Sequence, residues 1–461
     1  MKRNVWMAAA LATVLMAACS DDSENDSPAL PEPDGGGQVE VTTVSGNVSG
    51  VWKKNSVVQV DGHLCVPAGS SLTIEEGVQV IFTDKGVGVN HVPVEFTVDG
   101  NLYLRGTAEN PVLLSVAEEK RTAANAFAGL WGGIVATSSC EELLIDHAVI
   151  EYAGGQVIEG SPAATAEIYT AGDDAYPQVT TCNLNGRYVI THSILRNGWS
   201  DAVYMMGGKA IIAENLFVAN GFDGAEAVNV KAGCQADVAG NIMFSPNTNG
   251  LKLSSSGQSE ERGQARVQAY NNTIINAGWR RDGEKGGCVY AEKNVLANVF
   301  NNLMVNCKFR AQTPSYKNPN NPEEGYDNTS VIDYNYYASG SQRSDIVFAD
   351  ASGVAYAWEG YNYAHKNYYE GVVDAHSVIA TEQDGKDPLF ENFSIQAVPL
   401  ISYSYDEAWD FHLKAGSPAL TGANSGSAAS LKPYFAGGLS VGGTTYSSPA
   451  VAAHYGALGT K

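Results

Sequence analysis

The chain has 461 residues and carries 50 acidic against 28 basic side chains, a formal charge of -22. Such an excess leaves no basic footprint for a phosphate backbone, which excludes nucleic acid as the expected partner. Aromatic residues make up 9% of the chain but charged residues only 17%, with 49 glycines, a composition of an all-β extracellular protein rather than a helical cytosolic enzyme.

The chain opens with MKRNVWMAAALATVLMAACSDD: two basic residues, a short apolar run, then small residues before Cys19. That is the anatomy of a secretory signal, and the run is too short for a membrane span. Residues 1–18 are therefore expected to be a signal peptide. LMAAC resembles the lipobox of bacterial lipoproteins, which implies cleavage before Cys19 and lipid on its thiol as the only membrane attachment. The acidic run Ser20-Asp21-Asp22-Ser23-Glu24 resembles the tag that sends some lipoproteins to the outer face of the outer membrane. Residues 19–38, rich in Ser, Asp, Pro and Gly, cannot bury a core and read as a flexible linker.

Residues 39–461 read as one domain. Short strand-like runs punctuated by glycine fill 41–155, followed by a segment from 156 to 186, containing AGDDAYPQ, that breaks the rhythm and is expected to be an inserted loop. Beyond it the chain repeats itself. RYVITHSILRNG, KAIIAENLFVANG, QADVAGNIMFSPN, VQAYNNTIINAG and LANVFNNLMVNC align so that Asn215, Asn241, Asn272 and Asn302 share a column, with gaps of 26, 31 and 30 residues. Alternation inside each segment has the strand period of two. A unit of this length made of short strands and Asn/Gly turns matches one coil of a parallel β-solenoid, whose rungs bury one another's inner faces. The asparagine column is expected to be a structural amide ladder. His147 and His192 fall at coil turns, where a structural hydrogen bond is expected.

A second strand follows each asparagine turn. With Val203, Val228, Leu251 and Val289 pointing inward, Tyr204, Asn229, Lys252 and Tyr290 must point outward. Asp201, Glu226 and Asn249, at the start of each strand, are expected to face outward as well. The preceding loops bring Trp199, Phe222 and the Trp279-Arg280-Arg281-Asp282 cluster. Residues 312–329, rich in Pro and Asn, form a second expected insertion. The six cysteines after Cys19 show no metal-ligand spacing; Cys65, Cys140, Cys182, Cys234, Cys288 and Cys307 are expected to be buried free thiols.

The GTAENP stretch, together with GKDPLF, DFHLKAGSPAL and the final YGALG, resembles the right-handed parallel β-helix repeat lipoproteins of Gram-negative surfaces, related in fold to pectate lyases. The resemblance implies an all-β, right-handed, single-stranded parallel β-helix displayed on the outer membrane, and says almost nothing about chemistry.

Exposed aromatics in a row beside amides, carboxylates and a lysine suit a sugar chain, whose rings offer apolar faces and whose hydroxyls need polar partners. Trp199, Tyr204, Asn229, Trp279, Arg280, Arg281 and Tyr290 are the candidate glycan-binding residues of a monomeric platform that binds without cleaving. The alternative is a lyase acting on an acidic polysaccharide, with Lys252 as base and Ca²⁺ held by Asp201, Asp223 and Glu226. An adhesin or structural spine is the third. A hydrolase would want clustered aspartates on consecutive coils, and the one adjacent pair within residues 39–461, Asp173 and Asp174, lies in the expected loop.

Overall fold

The computed structural model describes residues 40–222, 224–282, 285–311, 324–349, 355–358, 360–361, 374–380 and 386–461. Cys19, the linker and Asp223 lie outside the described residues. No helix of the described residues is long and apolar enough to cross a membrane.

The short alternating runs form rungs that pair in parallel with the rung before and the rung after, and the rungs stack as three faces of a solenoid. Sheet I has ten described strands, from Gly50–Trp52 through Glu142–Asp146, Arg187–Thr191 and Gly208–Ala213 to Val331–Ile332. Sheet II runs from Gln79–Phe82 through Ala148–Glu151, Ile194–Arg196 and Leu216–Val218 to Val378–Ala380. Sheet III comprises Phe96–Val98, Ile134–Ala136, Val179–Thr181, Val203–Met205, Glu226–Val230, Asn249–Ser254 and Gly287–Glu292. The two opening strands, Val41–Asn47 and Val57–Val66, bend from sheet II into sheet III.

Inside, the expected register holds. Val203, Val228, Leu251 and Val289 stand in one column, Met205, Val230, Leu253 and Ala291 in the next, and all are buried. Each fully buried valine or leucine contributes about 1.5–3 kcal/mol by leaving water.

At the corner from sheet I to sheet II the coils from Arg187–Thr191 onward take one residue of positive φ and then one ladder residue. His192, Glu214, Gly240, Asn271, Asn301 and Tyr334 supply the left-handed positions, with φ from 50° to 66°, and His147 adopts the same conformation on the coil before. Asn215, Asn241, Asn272, Asn302 and Asn335 follow them, and each donates through Nδ2 to the Oδ1 of the next over 2.9–3.0 Å. The ladder satisfies backbone groups that the sharp corner takes out of the sheets, because Nδ2 also reaches the carbonyl of the preceding coil, as from Asn272 to Val238 at 2.9 Å. Ser193 extends it at one end, its backbone N–H donating to Asn215 Oδ1 at 3.0 Å.

The inserted segment is shorter than 156–186. It returns to the solenoid by Val179–Thr181, which pair with Ile134–Ala136 and Val203–Met205. The polar TTCN run and Pro177 hide that rung from an alternation test. At the second expected insertion, residues 312–323 lie outside the described residues, while Tyr326 is already back in the core, bridged to Val295.

The C-terminal stretch covers two of the three outer faces. Phe390, Phe411, Trp409 and Tyr405 pack on Val218, Phe244, Ile275 and Val305 of sheet II. The segment from Ala429 to Tyr446 runs back across sheet I, seating Phe435, Leu439 and Val441 on Leu144, Val189 and Ile211. Buried Asp237 on sheet I accepts from the backbone of Tyr434 and Phe435 at 3.0 and 2.8 Å and from Ser448 Oγ at 2.6 Å.

Candidate functional site

With sheets I and II covered, sheet III presents the outer face left to solvent among the described residues. Its central outward column reads Cys65, Thr97, Val135, Thr180, Tyr204, Asn229, Lys252 and Tyr290 in unbroken register. The inserted segment divides this face. Val157, Ala163 and Tyr176 pack on Val135 and bury it completely. The segment is pinned there by Glu95, whose carboxylate accepts from Ala163 N at 2.8 Å, Tyr176 Oη at 2.6 Å and Thr97 Oγ1 at 2.6 Å.

On the N-terminal side of this divider lies a cavity of about 340 Å³, lined by His63, Cys65, Glu95, Asp99 and Thr137 and by Pro162 and Ile168 of the insert. Burial, reinforced by Asp99, pushes the Cys65 thiol up to about 11, so it is no nucleophile at neutral pH. All six described cysteines are free; Cys140, Cys234, Cys288 and Cys307 are buried, while Cys65 and Cys182 are half-buried.

On the C-terminal side the face is an open row. Tyr204 and Tyr290 are half-buried three rungs apart, with Asn229 and Lys252 between them. Lys231 Nζ lies 5.3 Å from the centre of the Tyr204 ring, and Lys252 Nζ lies 6.0 Å from that of Tyr290 and 3.8 Å from Glu292. Tyr169 of the insert meets Tyr204 edge-on at 6.5 Å, closing the end of the row.

Beside the row, Asp201 and Glu226 occupy matched positions on adjacent rungs. Two residues before inward Val203 and Val228, strict alternation would turn them inward; the register breaks at Ala202 and Ala227, which are core residues, so both carboxylates meet Asn229 of the outward column, and both are nearly buried, as are Asn229 and Asn249. Asn229 Nδ2 donates to Asp201 Oδ2 at 3.4 Å and to Glu226 Oε2 at 3.2 Å, Asn249 Nδ2 to Glu226 Oε1 at 3.0 Å, and Glu226 N to Asp201 Oδ1 at 2.6 Å. Burial, and then the neighbouring Glu226 carboxylate, drives the Asp201 carboxyl well above its usual range. Calcium needs six to eight converging oxygens. Here the oxygens of the described pair are buried and engaged by N–H donors, a donor set that does not fit the expected cation site. Lys231 faces the same pair; burial first and the Lys252 charge second lower its pKa. It lies just past the end of its strand, where alternation no longer fixes direction, and so escaped the choice of base.

The loops before the strands differ from expectation in detail. Trp199 is half-buried and meets Phe222 at 5.9 Å; Phe222 is 60% exposed and leads on to Phe127 at 6.2 Å and then Tyr403 at 5.1 Å. Trp279 is not part of this surface. It is 3% exposed, and its Nε1 donates to Asn306 O at 2.6 Å, which makes it a cover over the core. Arg280 is likewise committed: its guanidinium donates to the carbonyls of Gly221, Asn220 and Ser245 and lies 4.6 Å from the Phe127 ring centre. It is an edge brace with its donors spent. Arg281 is half-buried with its guanidinium against Gly224. The structure thus brings Trp199, Tyr204, Asn229, Lys252 and Tyr290 to one face, adds Lys231 and Phe222, and removes Trp279 and Arg280.

Residues 43–143 match the family model of the pectate-lyase-like beta helix domain. The match spans the first coils and the sheet III side of the cavity, without Pro162 and Ile168 of the insert, and it stops before the open row. No curated protein and no solved structure matches the chain. The parallel rungs beyond residue 143 continue the same architecture to Val378–Ala380.

Proposed function

We propose that this protein is a surface lipoprotein, anchored to the outer membrane through lipid on Cys19, that binds a polysaccharide along sheet III without cleaving it. The observation that carries the proposal is the uncovered row itself: Tyr204, Asn229, Lys252 and Tyr290 on four consecutive rungs, with Lys231 and Lys252 beside the aromatic rings. Rungs repeat about 4.8 Å apart, close to the length of a pyranose ring, so successive sugars meet successive rungs. Tyrosine faces take the apolar side of a ring, and Lys231 and Lys252 take hydroxyls or a carboxylate, while Asn229, nearly buried with its amide donated to Asp201 and Glu226, holds the row in place. The two lysines are the cations of the row, each beside carboxylates of the chain, and either can pair with an acidic group of the polymer.

A lyase is the second reading, favoured by one feature. Lys231 has a pKa lowered by burial and faces Asp201, whose pKa burial raises, as a base beside an acid would. The test incubates the full chain with acidic and neutral polysaccharides while following co-sedimentation and the absorbance of unsaturated products. Co-sedimentation without absorbance, lost in a Tyr204→Ala/Tyr290→Ala variant, supports the platform. Absorbance that vanishes in Lys231→Ala replaces it with the lyase, and silence in both channels with every polymer overturns both.

A further inference from the structure

The corner between sheets I and II carries chemistry that the polysaccharide row does not use. Asp146, His147 and His192 meet there, with one donor atom from each within 4.8 Å of the others. The grouping follows from the coil. Asp146 and Thr191 are paired in register, so His147 and His192 are successive turn residues, and both adopt the same left-handed conformation, φ 53° and 50°. Their rings stack with centres 4.6 Å apart. Both Nδ1 atoms face a single carboxylate oxygen, Asp146 Oδ1, at 2.7 Å from His147 and 3.3 Å from His192.

We propose that this corner is a binding site for a divalent transition ion of the zinc class, ligated by Asp146, His147 and His192, with a remaining position open to water. Two independent features point to a metal rather than to a structural hydrogen bond alone. First, a tetrahedral ion with bonds of about 2.1 Å needs donor atoms about 3.4 Å apart. The His192 and Asp146 donors, 3.3 Å apart, already stand near that separation, and His147 Nδ1 lies at 2.7 Å from the same oxygen. Second, His192 Nε2 lies 3.1 Å from Glu214 Oε2, on the next coil at the same turn position. A carboxylate at the far ring nitrogen orients the ring, as it does for histidine ligands in metal sites, and an ion would replace the contacts that His192 Nδ1 makes with Asp146 Oδ1 and Thr191 Oγ1. Two imidazoles and one carboxylate suit zinc, nickel or copper better than calcium or magnesium, which want oxygen alone. The site sits on a corner shaped by the amide ladder, so its ligands are positioned by rungs rather than by a loop.

The test titrates Co²⁺, then Zn²⁺, into the chelator-treated, tag-free full chain. Saturable binding of one ion is expected, with the intense visible bands of a four-coordinate cobalt centre that zinc then bleaches. His147→Asn and His192→Asn, chosen because asparagine tolerates positive φ, should abolish the bands. Glu214→Gln touches the metal only through His192 and should weaken binding 10- to 100-fold, which provides a readout should a histidine variant fail to fold. Cobalt remaining in the pale six-coordinate form, or bands that survive in both histidine variants, would overturn the proposal.

Discussion

Replacing Asn272 by alanine tests the device that holds the solenoid's corner. The Asn272 side chain is fully buried. Its Nδ2 donates to Val238 O and Asn302 Oδ1, both at 2.9 Å, and its Oδ1 accepts from Asn241 N at 3.1 Å and Asn241 Nδ2 at 2.9 Å. After truncation Asn241 Nδ2 keeps Ile212 O, and Asn302 Oδ1 keeps the backbone N–H of residue 272. The Asn241 N–H and the Val238 carbonyl lose these partners and stay buried. At about 1–3 kcal/mol for each stranded group, the expected destabilisation is about 2–6 kcal/mol. Asn247→Ala makes a matched control, because its buried amide gives one bond, to Phe222 O at 2.9 Å, and its loss should cost about 1 kcal/mol. The assay is urea unfolding followed by far-ultraviolet circular dichroism. It includes the Asn241→Ala/Asn272→Ala double variant, whose shared bonds should make it less damaging than the sum of its parts by about 0.5–3 kcal/mol. An Asn272→Ala loss below about 1 kcal/mol with additive double-variant behaviour would refute the cooperative ladder.

Leu251→Asp places a charge among stacked inward residues and should cost about 4 kcal/mol or more, seen as a large fall in thermal midpoint; an unchanged midpoint would mean that the inward assignment is wrong. Asp237→Ala removes the acceptor for Tyr434 N, Phe435 N and Ser448 Oγ, and should free the segment that crosses sheet I. Limited chymotryptic cleavage after Tyr434 and Phe435, of which Phe435 is buried in the fold, should then be fast in the variant and slow in the wild type. Lys308 titrates at about 8 in the folded protein because burial disfavours its charge, against 10.5 when unfolded. Between those values the unfolded chain binds more protons, so this group makes stability rise with pH across that window and contributes no slope below about 8. The difference in stability between wild type and Lys308→Met, measured from pH 7 to 10.5, should show that rise.

Much of this was legible because a solenoid writes its core as alternation and its corners as a column. Val203 and Tyr204 point oppositely for the same reason that Leu251 and Lys252 do, and Asn215, Asn241, Asn272 and Asn302 share a spacing because they share a corner. Position within a coil does not report what lies over it. Asp201 and Glu226 meet outward Asn229 although they stand two residues from inward Val203 and Val228, because the register breaks at core residues Ala202 and Ala227, and neighbouring amides bury them, neither of which a period of two announces. Trp199 and Trp279 open equivalent loops, but Trp279 finds Asn306 O within reach and turns inward. The C-terminal stretch was beyond reading, since its contacts join residues as far apart as Asp237 and Ser448 with no period to announce them. That stretch decides the candidate site by covering sheets I and II.

The central claim is that a sugar chain lies along sheet III, and hydrogen–deuterium exchange of the full chain with and without a bound oligosaccharide tests it most directly. The predicted result is slowed exchange in residues 197–202 and 220–222 and in the strands Val203–Met205, Glu226–Val230 and Asn249–Ser254, with sheets I and II unchanged. Protection centred on the segment from Ala429 to Tyr446, or on the corner carrying His147 and His192, would contradict it.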